Sequence, residues 1–253
     1  MPDLELAVAA HAKVNLALSV HGLLPDGRHQ VSTVLQAISL HDLLQVRLAA
    51  ETSLEVIGDA PAGPENLVLV AQRALEEAVG RPLPAALRLV KRIPPGAGLA
   101  GGSSDAAAAL RALSRLYRLD LELRDIAAEL GADVPFFLRG GAAEAGGFGA
   151  DLRPCPEATG WFALAWPGFS VSTGAVYEAW DGTGGAGPNQ LQAAAFTVEP
   201  RLRAFAEELG TGWQMTGSGS AFFTQSADEA GARAAALPLS CWTAIAAPVG
   251  AWG

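Results

Sequence analysis

From residue 5 to residue 20 apolar and polar positions alternate loosely (ELAVAAHAKVNLALSV), with enough β-branched residues to predict a strand or a bent pair of strands. Asp26 and Gly27 mark a turn, the run from Val31 to Leu48 predicts more sheet, and Leu54 to Ile57 a further short strand. The period then lengthens. Over residues 65–79, Leu67, Val70, Ala71, Ala74 and Leu75 fall on one face of a helix that Gly80 is placed to stop. Strand character returns from Leu87 to Ile93 and ends at Pro94 and Pro95. A glycine-rich loop follows, then a helix carrying Leu110, Leu113, Leu116 and Tyr117, then a third helix from Leu121 to Leu130 closed by Gly131.

Residues 140–149 are so rich in glycine that they stand as the softest stretch and the best boundary, giving a first domain over residues 1–150 and a second over residues 151–253. In the second, residues 161–166 and 242–249 predict buried strands and residues 200–209 and 227–237 helices, so that another unit mixing helix and sheet is expected. No internal repeat is visible.

Composition narrows what such a chain can do. A length of 253 residues with 50% hydrophobic and 17% charged residues fits one large or two ordinary folded domains. Lys and Arg number 17 against 26 Asp and Glu, a net charge of −9, which argues against nucleic acid or an anionic membrane as partner. An anionic small ligand would need local help from backbone amides, a few cations and a metal ion. Cys155 and Cys241 suggest neither a disulfide framework nor a zinc site. With no basic leader and no long apolar run, a cytoplasmic protein is expected.

The loop of residues 94–104, PPGAGLAGGSS, opens directly onto DAAAALRAL. A glycine loop that delivers the chain into a helix start turns backbone N–H groups inward, and with the helix dipole these favour an anion such as phosphate. The plainer alternative is a glycine turn with Ser103 or Ser104 as an ordinary N-cap. No G-x-x-x-x-G-K-S/T is present. Gly96, Gly98 and Gly101 satisfy G-x-G-x-x-G, but a dinucleotide fold needs an apolar strand ending in an acidic residue about twenty positions on. Asp120 instead follows one helix and begins another.

The loop closely resembles the pattern P-x-x-x-G-L-G-G-S-S of the GHMP kinases, with Ala100 where glycine is common. Three further segments, AKVNLALSVHGLLPDGRHQVSTVLQAISLHD, LGADVPFFLRGGAA and MTGSGSAFF, resemble in order and spacing one branch of that superfamily, the 4-diphosphocytidyl-2-C-methyl-D-erythritol kinases of the non-mevalonate isoprenoid route. The likeness spans nearly the whole chain. It implies an α+β fold of two domains, ribosomal-protein-S5-like at the N-terminus and ferredoxin-like at the C-terminus. It also implies ATP as phosphoryl donor with Mg²⁺, a cytidine-diphosphate-linked alcohol as acceptor, and a monomer or weak homodimer.

Carried over by motif, Lys13 and Asp133 are implied as the catalytic pair. Attack of an alcohol on the γ-phosphate needs a group to take the hydroxyl proton and positive charge to steady the phosphoryl group in flight. Taken singly, Asp133 reads equally as the N-cap of a helix beginning at Val-Pro-Phe-Phe, and Lys13 as an edge-strand charge reaching water. The nucleotide is implied to lie on Pro94, Pro95, Gly96, Ala97, Gly98, Leu99, Ala100, Gly101, Gly102, Ser103 and Ser104, with the base held by Asn66, Leu67 and Val68. Asn66 reads equally as a helix cap. Magnesium ligands stay unassigned, Ser103 or Ser104 being the natural candidates by motif position. On the acceptor side the likeness implies Asn15, Thr173, Gly217, Ser218 and Gly219, with His29 bonded to the cytosine and Tyr177 stacked on it. DGRH replaces the usual D-G-Y-H, so Arg28 stands where a tyrosine is expected. Two other functions stay open at this point: a GHMP kinase for a different small alcohol, and a non-catalytic nucleotide sensor on the same fold.

Overall fold

A computed structural model describes residues 5–23, 27, 29–147 and 151–252. The elements run β1 (Glu5–Leu23), β2 (His29–Leu48), β3 (Ser53–Ile57), α1 (Leu67–Val79), β4 (Ala85–Val90), α2 (Gly101–Tyr117), α3 (Arg124–Leu130), α4 (Val134–Arg139), β5 (Ala142–Gly146) and β6 (Asp151–Pro154). They continue with β7 (Trp161–Trp166), α5 (Thr173–Thr183), α6 (Gln192–Val198), α7 (Arg201–Leu209), β8 (Gln214–Met215), β9 (Phe222–Ser226), α8 (Glu229–Ala236) and β10 (Trp242–Ala246). Two compact units form, each discontinuous in sequence. One takes residues 1–12, 41–95 and 100–139, the other residues 13–40, 96–99 and 140–253.

In the first unit the C-terminal half of β2 pairs antiparallel with β4, Leu44 opposite Leu89, and β3 lies parallel to β4. Helices α1 and α2 pack on each other, and α3 and α4 on them. The buried stripe of α1 is Val68, Ala71, Gln72 and Leu75, so the predicted face is rotated: Leu67, Val70 and Ala74 lie at its margin. Gln72 is buried because its amide donates to the Leu83 carbonyl at 2.8 Å and to Thr52 Oγ1 at 2.7 Å, a polar use of a core position that hydrophobic periodicity does not register. The β4 strand stops at Val90 rather than Ile93, because the amides of Arg92 and Ile93 turn to a side chain, Asp42.

In the second unit the N-terminal half of β2 pairs with β5, Thr33 opposite Ala145, and β5 with β6. A second sheet runs β10-β7-β9-β8, antiparallel throughout, with α8 packed on it. Its core gathers Val176, Leu191, Leu202, Met215 and Phe222. Here residues 140–145, the first part of the stretch read as soft, are packed. Ala142, Ala143 and Ala145 are buried in a paired strand, and a Cβ at Gly140 would fall 2.1 Å from the Trp252 ring. Gly140 and Gly141 permit close approach, to Trp252 and Ala251. Helices α5 and α6 and strands β8 and β9 had no clear periodic signal; α5 forms where Ser172 caps the amide of Ala175 at 3.4 Å and ends where the Gly184 amide reaches the Trp180 carbonyl at 2.7 Å. Among the described residues no helix is long and apolar enough to cross a membrane.

Candidate active site

The glycine loop is built by close contact. Gly96 and Gly98 have φ of 63° and 78°, in the left-handed region, and a Cβ on Gly98 would meet the Thr216 carbonyl at 2.4 Å and that of Gly219 at 2.9 Å. A Cβ on Gly96 would strike Ser170 Cβ at 2.4 Å. The Ala221 amide donates to the Ala97 carbonyl at 2.9 Å, so the turn of residues 216–221 buttresses residues 96–99 through a main-chain bond. Gly217 (φ 58°) and Gly219 (φ 90°) bend that turn. Asn189 grips it from outside: its amide nitrogen donates to the carbonyls of Met215 at 2.7 Å and Gly217 at 2.9 Å.

Lys13 sits on this platform rather than at an exposed edge. It is 3% exposed, and its Nζ donates to Gly98 O and to Asn15 Oδ1, both at 2.7 Å. Asn15 is itself fixed, with Nδ2 donating to Thr33 Oγ1 at 2.8 Å, Oδ1 accepting also from Thr216 Oγ1 at 3.2 Å, and its backbone amide donating to Thr216 Oγ1 at 3.0 Å. Asn15 therefore acts first on Lys13. Thr173 and Ser218, 45 positions apart, share a hydroxyl hydrogen bond of 2.8 Å. Along α5, Thr173, Tyr177 and Asp181 recur every four residues and so share one face. His29 Nε2 lies 2.8 Å from Asp181 Oδ1, its ring 5.1 Å from Tyr177 and edge-on to Trp180 at 5.7 Å. Arg28 lies outside the described residues.

In the other unit, α2 begins at Gly101 after Ala100, whose φ of 57° is left-handed. Ala100, not Ser103 or Ser104, occupies the N-cap, and no side chain bonds there. The serine-cap alternative thus fails: both serines are inside the helix, Ser103 half-exposed and Ser104 buried. Asn66 does cap its helix. Its Oδ1 accepts the Val68 amide at 2.9 Å and its Nδ2 donates to the Pro61 carbonyl at 2.6 Å, while Val68 is fully buried and Leu67 Cδ1 lies 3.3 Å from where a Gly102 Cβ would stand. Asp133 is half-exposed immediately before α4.

Beneath the start of α2 lies a buried ionic cluster. Lys91 Nζ donates to Asp105 Oδ2 at 2.6 Å and to Asp42 Oδ2, with Lys91 6% exposed and Asp42 fully buried. Burial opposes the charge on Lys91, yet the two carboxylates outweigh it and raise its pKa. Burial is also the main force on Asp105, with Asp42 adding to it, and together they overcome the Lys91 attraction and push the Asp105 carboxyl up to about 7.

Residues 66–141 match the family model for the GHMP kinases N terminal domain. A 4-diphosphocytidyl-2-C-methyl-D-erythritol kinase of Thermus thermophilus is 40% identical over 256 residues, covering 92% of each chain. The kinase of the same name from Carboxydothermus hydrogenoformans is 35% identical, covering 86% of this chain and 87% of its own. The chain belongs to this kinase family. A crystal structure of 4-(cytidine 5'-diphospho)-2C-methyl-D-erythritol kinase superposes with a TM-score of 0.82 at 37% identity, covering 97% of this chain and all of that one. The α+β GHMP kinase fold expected from the motifs is therefore the fold of the chain.

Within that kinase fold, sequence reasoning overlooked the supporting residues. Thr33, Asp42 and Thr216 stand inside the very segments that carried the likeness and Asp105 directly follows one, but a hydroxyl or carboxylate there gives no pattern of its own. Lys91, Asp181 and Asn189 had no signal at all, since their partners are distant in sequence.

Proposed function

We propose that this chain transfers the γ-phosphoryl group of ATP to the 2-hydroxyl of 4-diphosphocytidyl-2-C-methyl-D-erythritol, giving the 2-phosphate and ADP. The observation that carries this reading is the likeness, over nearly all of both chains, to a solved kinase named for that acceptor. The hydroxyl oxygen forms a bond to the γ-phosphorus as the bridge to the β-phosphate breaks, ADP leaves with that electron pair, and the carboxylate of Asp133 takes the hydroxyl proton. The ammonium of Lys13, placed by Gly98 and Asn15, steadies the oxygens of the group in flight.

The nucleotide phosphates lie on the amides of residues 96–104, while the buried Pro94, Ala97, Leu99 and Ser104 support the loop from inside. Asn66, by capping α1, fixes the segment on which Leu67 packs beside Gly102 for the base. Of the two candidate hydroxyls for Mg²⁺, Ser103 is accessible and Ser104 is not; a hard cation that keeps most of its waters fits such a single hydroxyl, and bound with ATP it screens phosphate charge. Tyr177 and His29 receive the cytosine, Arg28 contributes to binding the same acceptor, and Thr173, Ser218 and the amides near Gly217 and Gly219 hold the rest of it. An ATP-binding domain over residues 1–150 and a C-terminal domain over residues 151–253 would act in the cytoplasm as a monomer or weak homodimer. ADP release measured across a panel of alcohols decides the matter: only the cytidine-linked alcohol is expected to turn over at low concentration, and equal or better turnover of homoserine or mevalonate would overturn the assignment.

A further inference from the structure

The buried cluster of Lys91, Asp42 and Asp105 touches no atom of the proposed chemistry, yet it brackets the loop on which that chemistry depends. Lys91 stands three residues before the loop of residues 94–104, and Asp105 one residue after it. The ammonium joins the two, at 2.6 Å to Asp105 and again to Asp42. Asp42 in turn accepts the amides of Arg92 and Ile93, the latter at 2.9 Å, which pins the chain as it enters the loop. A Cβ on Gly101, the first residue of α2, would fall 3.3 Å from Lys91 Nζ and 3.0 Å from Ile93 Cγ2. Entry and exit of the loop are thus tied within one unit by charged hydrogen bonds shielded from water.

A buried pair or triad of charges adds little to stability on average, since desolvation offsets the attraction. What it supplies is definite geometry, and phosphate binding by amides depends on their being aimed before the ligand arrives. We infer that Lys91, tied to Asp42 and Asp105, is a positioning residue for the nucleotide, holding the two ends of the glycine loop at a fixed span so that the first amides of α2 are set for phosphate. The inference rests on the proposal that ATP occupies that loop.

Asp105 offers the cleanest test, because its removal leaves Lys91 and Asp42 as a balanced pair. Asp105→Asn keeps an oxygen for Lys91 and should stay within about twofold of the parent in every constant. Asp105→Leu keeps the bulk and breaks the tie; it should raise the KM for ATP by about tenfold or more while kcat at saturating ATP and the KM for the cytidine-linked alcohol move by less than about twofold. Three results overturn the inference: an unchanged ATP KM in Asp105→Leu, equal losses in Asn and Leu, or a rise in both KM values together, which marks a general loosening. If Asp105→Leu does not fold, Asp105→Ser, too short to reach Lys91, carries the same expectations. Gly98→Val keeps the two ideas apart. Should Gly98→Val leave nucleotide affinity intact in a folded protein, the loop is not the ATP site; should it weaken ATP while Asp105→Leu does not, the positioning role alone falls.

Discussion

Two buried lysines, one in each unit, are anchored by different partners. Lys91 bonds to two carboxylates, so its charge is cancelled where it stands and it acts as a fastener. Lys13 bonds to a side-chain amide oxygen and a main-chain carbonyl, which fix its position. Both are almost wholly buried, so burial does not tell them apart; the proposed mechanism asks Lys13 to act on a ligand and Lys91 to hold the loop.

The largest expected effect breaks the comparison at its reactive end. Lys13→Ala and Asp133→Asn should each lower turnover by ~100-fold or more, with ATP affinity by titration calorimetry little changed. Near-parental turnover in both variants would sink the mechanism. Next comes the platform under Lys13: Gly98→Val requires a valine at φ 78° with its Cβ 2.4 Å from the Thr216 carbonyl, and ATP affinity should fall by about tenfold or more. Calorimetry on the folded variant measures it directly.

Smaller effects sharpen the structural end. The Asp105 carboxyl is raised to about 7 from an ordinary value of 3.8, so the folded protein holds that proton more tightly than the unfolded chain does. Its contribution to stability is complete below about pH 4 and is lost as pH climbs to about 7, with Lys91 and Asp42 the charged groups facing it. Asp105→Asn, which cannot ionise, should therefore melt higher than the parent at pH 8, by roughly 2–4 °C for each kcal/mol recovered, and the difference should shrink toward pH 5. Calorimetric melting at both pH values with the same sign and size would show that Asp105 does not titrate there. The smallest change is expected of Ala100→Gly. A left-handed alanine costs about 1–2 kcal/mol and a glycine forfeits about 0.5–1 kcal/mol in chain entropy, leaving a gain of about 0.5 kcal/mol in chemical denaturation. A loss of stability would mean the loop backbone is not strained at that residue.

Most elements of the first unit were legible because their cores follow regular periods, and the loop, Lys13, Asp133 and the turn of residues 216–221 were legible because motifs fix them in sequence. The rest was hidden for definable reasons. Glycines 140 and 141 look identical to flexible ones until Trp252 and Ala251 are found against them. Helix α1 is rotated from its apolar stripe by one buried amide, Gln72. The residues that hold the site's own residues, Thr33, Thr216, Asn189 and Asp181, bond to partners up to 201 positions away in the chain, a distance over which no local pattern extends.

The grip of Lys13 on the Gly98 carbonyl also bears on how this enzyme can drift or escape an inhibitor. A peptide oxygen belongs to every amino acid, so no codon change deletes it, and any substitution that the loop backbone accepts leaves the ammonium its seat, whereas a side chain at Gly96 or Gly98 would strike Ser170 or the Thr216 carbonyl. A compound that engages Lys13 and the main chain of residues 96–99, rather than their side chains, would meet resistance only through changes that reshape the backbone, and those same changes would dislodge the lysine that the proposed mechanism uses.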